Sequence, residues 1–283
     1  MNDPVASTKR LPSVAPRARA RRNLDAPGPR IAIQAIFVVL FFAAWEAGAR
    51  AGLVSPFLVG SPAGIWKVLV ASLQSGSLLD DTWTTLFEAI LGFVLGTVAG
   101  SIVGLGLWYS PFVARLVEPF VVAINSVPKI AFAPIVILWF GTGLVSKVAL
   151  AVSLTSIVAL IAAYQAAKDS DTDLQALLLT FGASKHQVFY KAVVPSALPA
   201  IIATFRINVG FGLVGAVVGE FISSQKGLGH LIFAASSLYD LNTVWLGLFT
   251  LMLIGFVLYF VIDVVERVLL PWKQVASAPT VRL

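Results

Sequence analysis

The chain of 283 residues is 58% hydrophobic and only 12% charged, whereas a soluble domain carries about 25% charged residues, so a soluble enzyme or binding module is excluded. Its formal charge is +6 and it has no cysteine, which excludes a disulfide framework, a zinc–thiolate site and a lipoprotein anchor. Unbroken apolar runs of about 20 residues select spanning helices over a barrel, because in lipid each backbone polar group must be satisfied internally.

Residues 1–30 hold seven basic side chains (Lys9, Arg10, Arg17, Arg19, Arg21, Arg22, Arg30) among five prolines, a composition that predicts a disordered tail held in the cytoplasm as a topology signal. The apolar run from Ile31 ends in Trp45-Glu46 without a small-residue cleavage site, so a cleaved signal peptide does not fit. Six spans are predicted, at Ile31 to Ala49, Leu86 to Trp108, Pro119 to Phe140, Val148 to Ala167, Ala200 to Ile222 and Val244 to Leu270. With the N-terminus inside, fourteen Lys and Arg fall on the inner side. Four (Arg50, Lys67, Lys147, Lys226) fall outside and two within spans, which places both termini in the cytoplasm. Between the first two spans, Phe57 to Ser77 predicts an outer surface helix over Ile65 to Leu73.

In the second span Gly92, Gly96, Gly100 and Gly104 recur at steps of four. They leave one helix face bare for a neighbour in this chain or in a second copy. In the third, Pro128 and Pro134 predict a bent helix. Lys129 beside them is an intramembrane charge, hence a candidate for the solute path or for pairing with Glu88 or Glu220. Asn125, Ser126 and, in the fifth span, Asn208 are polar groups available to the same cavity. Arg206 either lines it or snorkels to the inner headgroups. Two cations facing a cavity would favour an anionic solute. Glu220, at the outer end of the fifth span, is expected as a gate or docking residue.

Residues 168–199 break this pattern with a polar insert. Thr172 with Gln175, then Ser184 with Gln187, have capping-box spacing. Leu174, Leu177, Leu178 and Phe181, then Val188, Phe189, Ala192 and Val193, supply apolar faces. Gly182 is the expected stop of the first helix and Pro195 of the second. Two short cytoplasmic helices result, with apolar faces that need a cover.

Chemistry of its own is missing. The two histidines, His186 and His230, are too few for a metal site, and Asp169, Asp171 and Asp173 better suit a helix N-terminus than acid–base work. Gly141 to Val148 lacks the residues around lysine that a P-loop needs, and Gly210 to Gly215 matches G-x-G-x-x-G only inside a spanning helix. A gradient-driven secondary carrier is the alternative conduit, but no repeat relates spans one to three with four to six.

Gly182-Ala183-Ser184, Val188-Phe189, Lys191 and Val194-Pro195 with Ala197-Leu198-Pro199 resemble the cytoplasmic "EAA" loop of binding-protein-dependent ABC transporter permeases. Ala176 stands where that pattern usually has an acidic residue. The segments LVGSP at Leu58, TLFEAILGFVLGTVAG from Thr85, SVPKIAFAPIVILWFGTGLVSK from Ser126 and VVGEFISSQKGLGHLI from Val217 resemble the nitrate, sulfonate and taurine importer subgroup. The resemblance implies an all-α, type I importer permease of the bacterial inner membrane, with its transmembrane domain over 31–272 and a short tail at 273–283. It implies a homodimer, two cytoplasmic ATPase subunits that bind ATP and Mg, and a periplasmic substrate-binding protein. No cofactor in this chain and no nucleic-acid partner are implied. It also implies coupling to the ATPase through Gly182, Ala183, Ser184, Lys185, Val188, Phe189 and Pro195, and a small anionic organic solute.

Overall fold

The structure, a computed structural model, describes residues 27–270. Of the expected tails over 1–30 and 273–283, residues 1–26 and 273–283 lie outside the described residues. Twelve α-helices are present among the described residues: α1 Pro27–Arg50, α2 Pro56–Val59, α3 Pro62–Ser75, α4 Ser77–Gly106, α5 Pro111–Ser126, α6 Ala133–Phe140, α7 Leu144–Lys168, α8 Thr172–Thr180, α9 Lys185–Val188, α10 Val194–Ser223, α11 Leu228–Ser237 and α12 Leu241–Leu269. Because α1 begins at Pro27, the end of the expected tail is helical.

The centre of the molecule is α4, α7 and α10. Helices in lipid gain no hydrophobic drive from meeting, so they associate where small residues let backbones approach. The glycine face of α4 meets α7 of the same chain. A methyl group on Gly96 would lie 2.9 Å from the Val152 carbonyl oxygen, and one on Gly104 3.0 Å from Ala163 Cβ. Gly212 of α10 is equally tight against the Ala89 carbonyl at 2.9 Å, and Gly215 against the Ala151 backbone nitrogen at 2.7 Å. Asn208 of α10 ties all three helices together, donating to Thr97 Oγ1 at 2.9 Å and to the Thr155 carbonyl at 3.0 Å.

Five helices are long and apolar enough to cross a membrane, and α5 with α6 makes a sixth, bent by 87°. The bend that Pro128 and Pro134 predict in the span from Pro119 to Phe140 is therefore an elbow between two helices, the first of which starts earlier, at Pro111. Val127 is extended, as the residue before a proline prefers. Pro128 then starts a 3-10 turn over Lys129–Phe132, and Pro134 opens α6 in the first turn, where its missing N–H costs nothing.

Two details of the insert are also corrected. The first cap is Asp171 rather than Thr172: its Oδ1 accepts from the amides of Asp173 (2.8 Å) and Leu174 (3.1 Å), while Gln175 turns back to Ser170 Oγ at 2.6 Å. Pro195 does not stop the second helix. Residues 185–223 form one rod of 39 residues in which Phe189–Val193 is π-helical. The π stretch precedes Pro195 and Pro199, whose absent N–H groups leave the Lys191 and Pro195 carbonyls without α-helical donors.

At the end of α4 away from the 168–199 insert, α3 runs over Pro62–Ser75, longer than predicted. Asn242 of α12 fastens its start by accepting from the Ser61 amide at 2.9 Å, and Glu46 of α1 accepts from the Ala63 amide at 2.9 Å. The ten-residue α11, too short to read as a span, lies between α10 and α12, with Ile232 packed against Gly247.

Candidate functional site

The insert was expected to be a coupling surface, and its geometry arises from local chemistry. Gly182 has φ +81, the left-handed conformation that ends α8 and that side chains resist. Ser184 then opens α9 with a full capping box: its Oγ accepts from the Gln187 amide at 3.3 Å, and Gln187 Oε1 accepts from the Ser184 amide at 2.8 Å. On α8, Leu174, Leu177, Leu179 and Phe181 are exposed, Phe181 by 80%.

The expected coupling residues divide into two groups. Gly182, Ser184 and Lys185 are exposed, Ala183 is half-buried, and Pro195 is exposed further along the rod. Val188 and Phe189 are buried. Phe189 packs on Trp108 and Tyr109 at ring separations of 5.6 and 4.6 Å. Lys185 Nζ donates to the Tyr109 carbonyl at 2.6 Å and lies 5.6 Å from the Trp108 ring centre, while Tyr109 Oη and His186 Nδ1 are 3.1 Å apart. Charge-assisted and cation–π contacts of this kind hold α9 to the 3-10 turn Leu107–Tyr109 that follows α4. Trp108, Tyr109 and His186 were not singled out from the sequence. Trp108 and Tyr109 lie at the end of the predicted second span, and only the aromatic pair beside a lysine-histidine pair hinted at the contact.

The expected path residues divide as well. Asn125, Ser126 and Lys129 come together at the elbow: Lys129 Nζ donates to Asn125 Oδ1 at 3.1 Å, Ser126 Oγ donates to the Val122 carbonyl at 2.8 Å, and Asn125 and Ser126 are exposed while Lys129 is half-buried. The other three are elsewhere. Asn208 is fully buried between helices. Arg206 is engaged by α12, with Asp263 at 2.6 Å and Glu266 at 2.8 Å, and stacks 5.7 Å from the Tyr259 ring. Glu220 is fully buried; its Oε1 accepts from Thr85 Oγ1 at 2.7 Å and its Oε2 from the Gly229 amide at 2.7 Å. Lys147, expected in outer water, is 95% buried: its stem lies on Gly219 and its Nζ donates to the Thr142 carbonyl at 3.0 Å. The one lysine expected to pair with Glu88 or Glu220, Lys129, instead takes Asn125.

No group of three or more His, Cys, Asp and Glu able to hold a metal occurs among the described residues. A multi-pass helical bundle with one broken span and a capped, apolar inner loop is the architecture of a membrane transport subunit. Residues 92–271 match the family described as "Binding-protein-dependent transport system inner membrane component", and the chain belongs to that family of ABC transporter permeases. It is 33% identical to the formylaminopyrimidine transport permease protein ThiX of Halalkalibacterium halodurans, over 84% of this chain and 95% of that one. It is 32% identical to the riboflavin transport system permease protein RibX of Chloroflexus aurantiacus, over 92% and 96%. It is 27% identical to the taurine transport system permease protein TauC of Escherichia coli, over 81% and 85%. Its fold is that of a subunit of the inward-facing MetNI methionine ABC transporter, with a TM-score of 0.61 at 20% identity over 69% of this chain and 97% of that chain. These relatives are transport subunits, not enzymes.

Proposed function

We propose that the chain works as a homodimer with two cytoplasmic ATPase subunits, which bind ATP and Mg, and with a periplasmic binding protein, and that it imports a small organic solute. The observation that carries this reading is the apolar face of α8 beside the capped α9. Leu174, Leu177 and Phe181, at helical spacing on one side, stand uncovered next to a helix that is itself fastened to α4, and an exposed apolar patch of this kind calls for a protein partner. Gly182, Ala183, Ser184 and Lys185 form the contact, Val188 and Phe189 anchor it from beneath, and Pro195 sets the start of α10. Both termini lie in the cytoplasm, on the inner side that the basic residues mark.

For the solute, Asn125, Ser126 and Lys129 at the elbow are the contact residues. Two relatives above 30% identity are named for a formylaminopyrimidine and for riboflavin, so a nitrogen heterocycle is the first reading. A sulfonate, taurine or nitrate anion is the second, and it rests on Lys129, since Arg206 is neutralised by Asp263 and Glu266.

Mild-detergent purification of the tagged chain tests the assembly. An ATPase should co-purify with the wild type and be lost from Gly182→Asp; if none accompanies the wild type, the reading fails. Cell uptake of labelled formylaminopyrimidine, riboflavin and taurine separates the solutes, and Lys129→Ala should abolish uptake of the transported one without disturbing the ATPase. Undiminished uptake would remove Lys129 from the path.

A further inference from the structure

The start of α11 is satisfied in an unusual way. Helix N-termini present N–H groups without intrahelical partners and carry a partial positive charge. Gly227, the N-cap of α11, provides no side chain, and no local cap replaces it. Instead three successive amides are taken by three side chains from two other helices. The Gly227 amide donates to Asp81 Oδ1 at 2.8 Å, the Leu228 amide to Thr85 Oγ1 at 2.8 Å, and the Gly229 amide to Glu220 Oε2 at 2.7 Å. Thr85 in turn donates to Glu220 Oε1, so the acceptors are joined to each other. Glu220, Thr85 and Leu228 are fully buried. The glycines are needed for this nesting: Gly227 has φ +100, and a methyl group on Gly229 would sit 2.6 Å from the Val217 carbonyl and 2.8 Å from Glu220 Oε2.

The helices that carry the acceptors are also joined at their inner ends. Asp81 and Thr85 belong to α4, and the 3-10 turn Leu107–Tyr109 that continues α4 at its other end grips Lys185 and Phe189. Glu220 lies near the outer end of the rod whose inner end is α9 itself.

We propose that Asp81, Thr85 and Glu220 are positioning residues that fix α11 to the α4–α10 body, so that a displacement imposed on α9 from the inner side reaches the outer mouth with α11 as a rigid passenger. This rests on the importer reading for the source of the displacement, though not for the attachment. Lifting α11 would strand three amides and a buried carboxylate together, which is why the joint transmits movement rather than absorbing it.

The test uses the full chain purified with its ATPase. Because the chain has no native cysteine, spin labels at Leu79→Cys on α4 and Ser236→Cys on α11, attached before unlabelled ATPase is added back, report their separation without background. The expected result is one narrow intrachain distance, separated from the between-copy distances by complexes carrying each label alone, and identical without nucleotide and with ATP and vanadate. Glu220→Gln and Thr85→Val should add a second, longer distance, raising the undocked population about tenfold, as loss of one hydrogen bond to a charged group does. Thr85→Ser, which keeps the hydroxyl, should restore the single distance, as a merely space-filling role for Thr85 would not require. Retained ATP turnover in each variant shows that the complex has folded and assembled. A separation that shifts with vanadate in the otherwise unaltered chain would overturn the proposal, as would a single unchanged distance in both Glu220→Gln and Thr85→Val. If no ATPase accompanies the wild type, the importer reading fails, and the nucleotide-free distances still decide whether the three acceptors hold α11.

Discussion

At Gly100 an added methyl group would press on the backbone of Ser156, 2.8 Å from its carbonyl carbon, and on Ala159 Cβ at 3.0 Å. A backbone cannot rotate away as a side chain can, so Gly100→Ala should destabilise the chain by about 1–3 kcal/mol. Gly106, on the same helix, has open space where its side chain would be. There Gly106→Ala should be neutral or stabilise by at most about 1 kcal/mol. Thermal unfolding of the two variants in one detergent checks the pair; equal midpoints would mean that the α4–α7 contact is looser than its geometry. Arg206 allows a second comparison. Arg206→Ala leaves Asp263 with the partly exposed Arg267 alone, and should lower the unfolding midpoint more than Lys129→Ala, which removes only an exposed hydrogen bond to Asn125. The glycine period was legible in the sequence because a step of four admits one explanation in a spanning helix, a close neighbour. Asn208 and Arg206 were not, because a polar group inside a span can face either a cavity or another helix, and sequence does not distinguish the two. Lys147 was misplaced for a related reason: its long stem can lie along a glycine face that sequence alone does not locate.

Among the elements, the α8–α9 turn is held by two small devices, the left-handed Gly182 and the Ser184 box. Gly182→Ala meets no steric obstacle but must adopt φ +81, at a cost of about 1–2 kcal/mol. Ser184→Ala loses a cap worth about 1 kcal/mol. Both should raise amide exchange over residues 184–189 while leaving α7 unchanged; protection that stays at the wild-type level would show that the Trp108 and Tyr109 grip alone orders α9. This turn could be read almost residue by residue, because caps and helix stops are local. The elbow was only half legible. The prolines announced a bend, but its 87° depends on the extended Val127 and the adjoining 3-10 turn, and short-range preferences do not add up to an angle. Nothing in its length or composition marked α11 as an element, since two of the three side chains that complete its N-terminus, Asp81 and Thr85, lie more than 140 residues earlier in the chain.

Across the whole molecule, burial is concentrated in α4, α7 and α10, whereas the most apolar 18-residue window of α1 has no buried residue and that of α12 only 11%. Amide exchange of the chain in micelles should therefore be slowest along α4, α7 and α10, and α1 should open earliest among the spanning helices; uniform protection would show that α1 packs more firmly than its contacts imply. The rod from Lys185 to Ser223 crosses that slow core and carries one irregularity, the π-helical Phe189–Val193. A π turn accommodates a residue more than an α turn, so it sets an angular phase between the helix on its N-terminal side and the helix on its C-terminal side. Winding that extra residue into ordinary α-helix instead, with none removed, would swing α9 by about 100° around the axis of α10, since successive residues of an α-helix are separated by that angle. Lys185 would leave Trp108 and the capped turn would point in a new direction, although no side chain of the turn itself had changed. The direction in which this protein presents its inner surface is thus stored in the winding of a five-residue segment rather than in the residues presented.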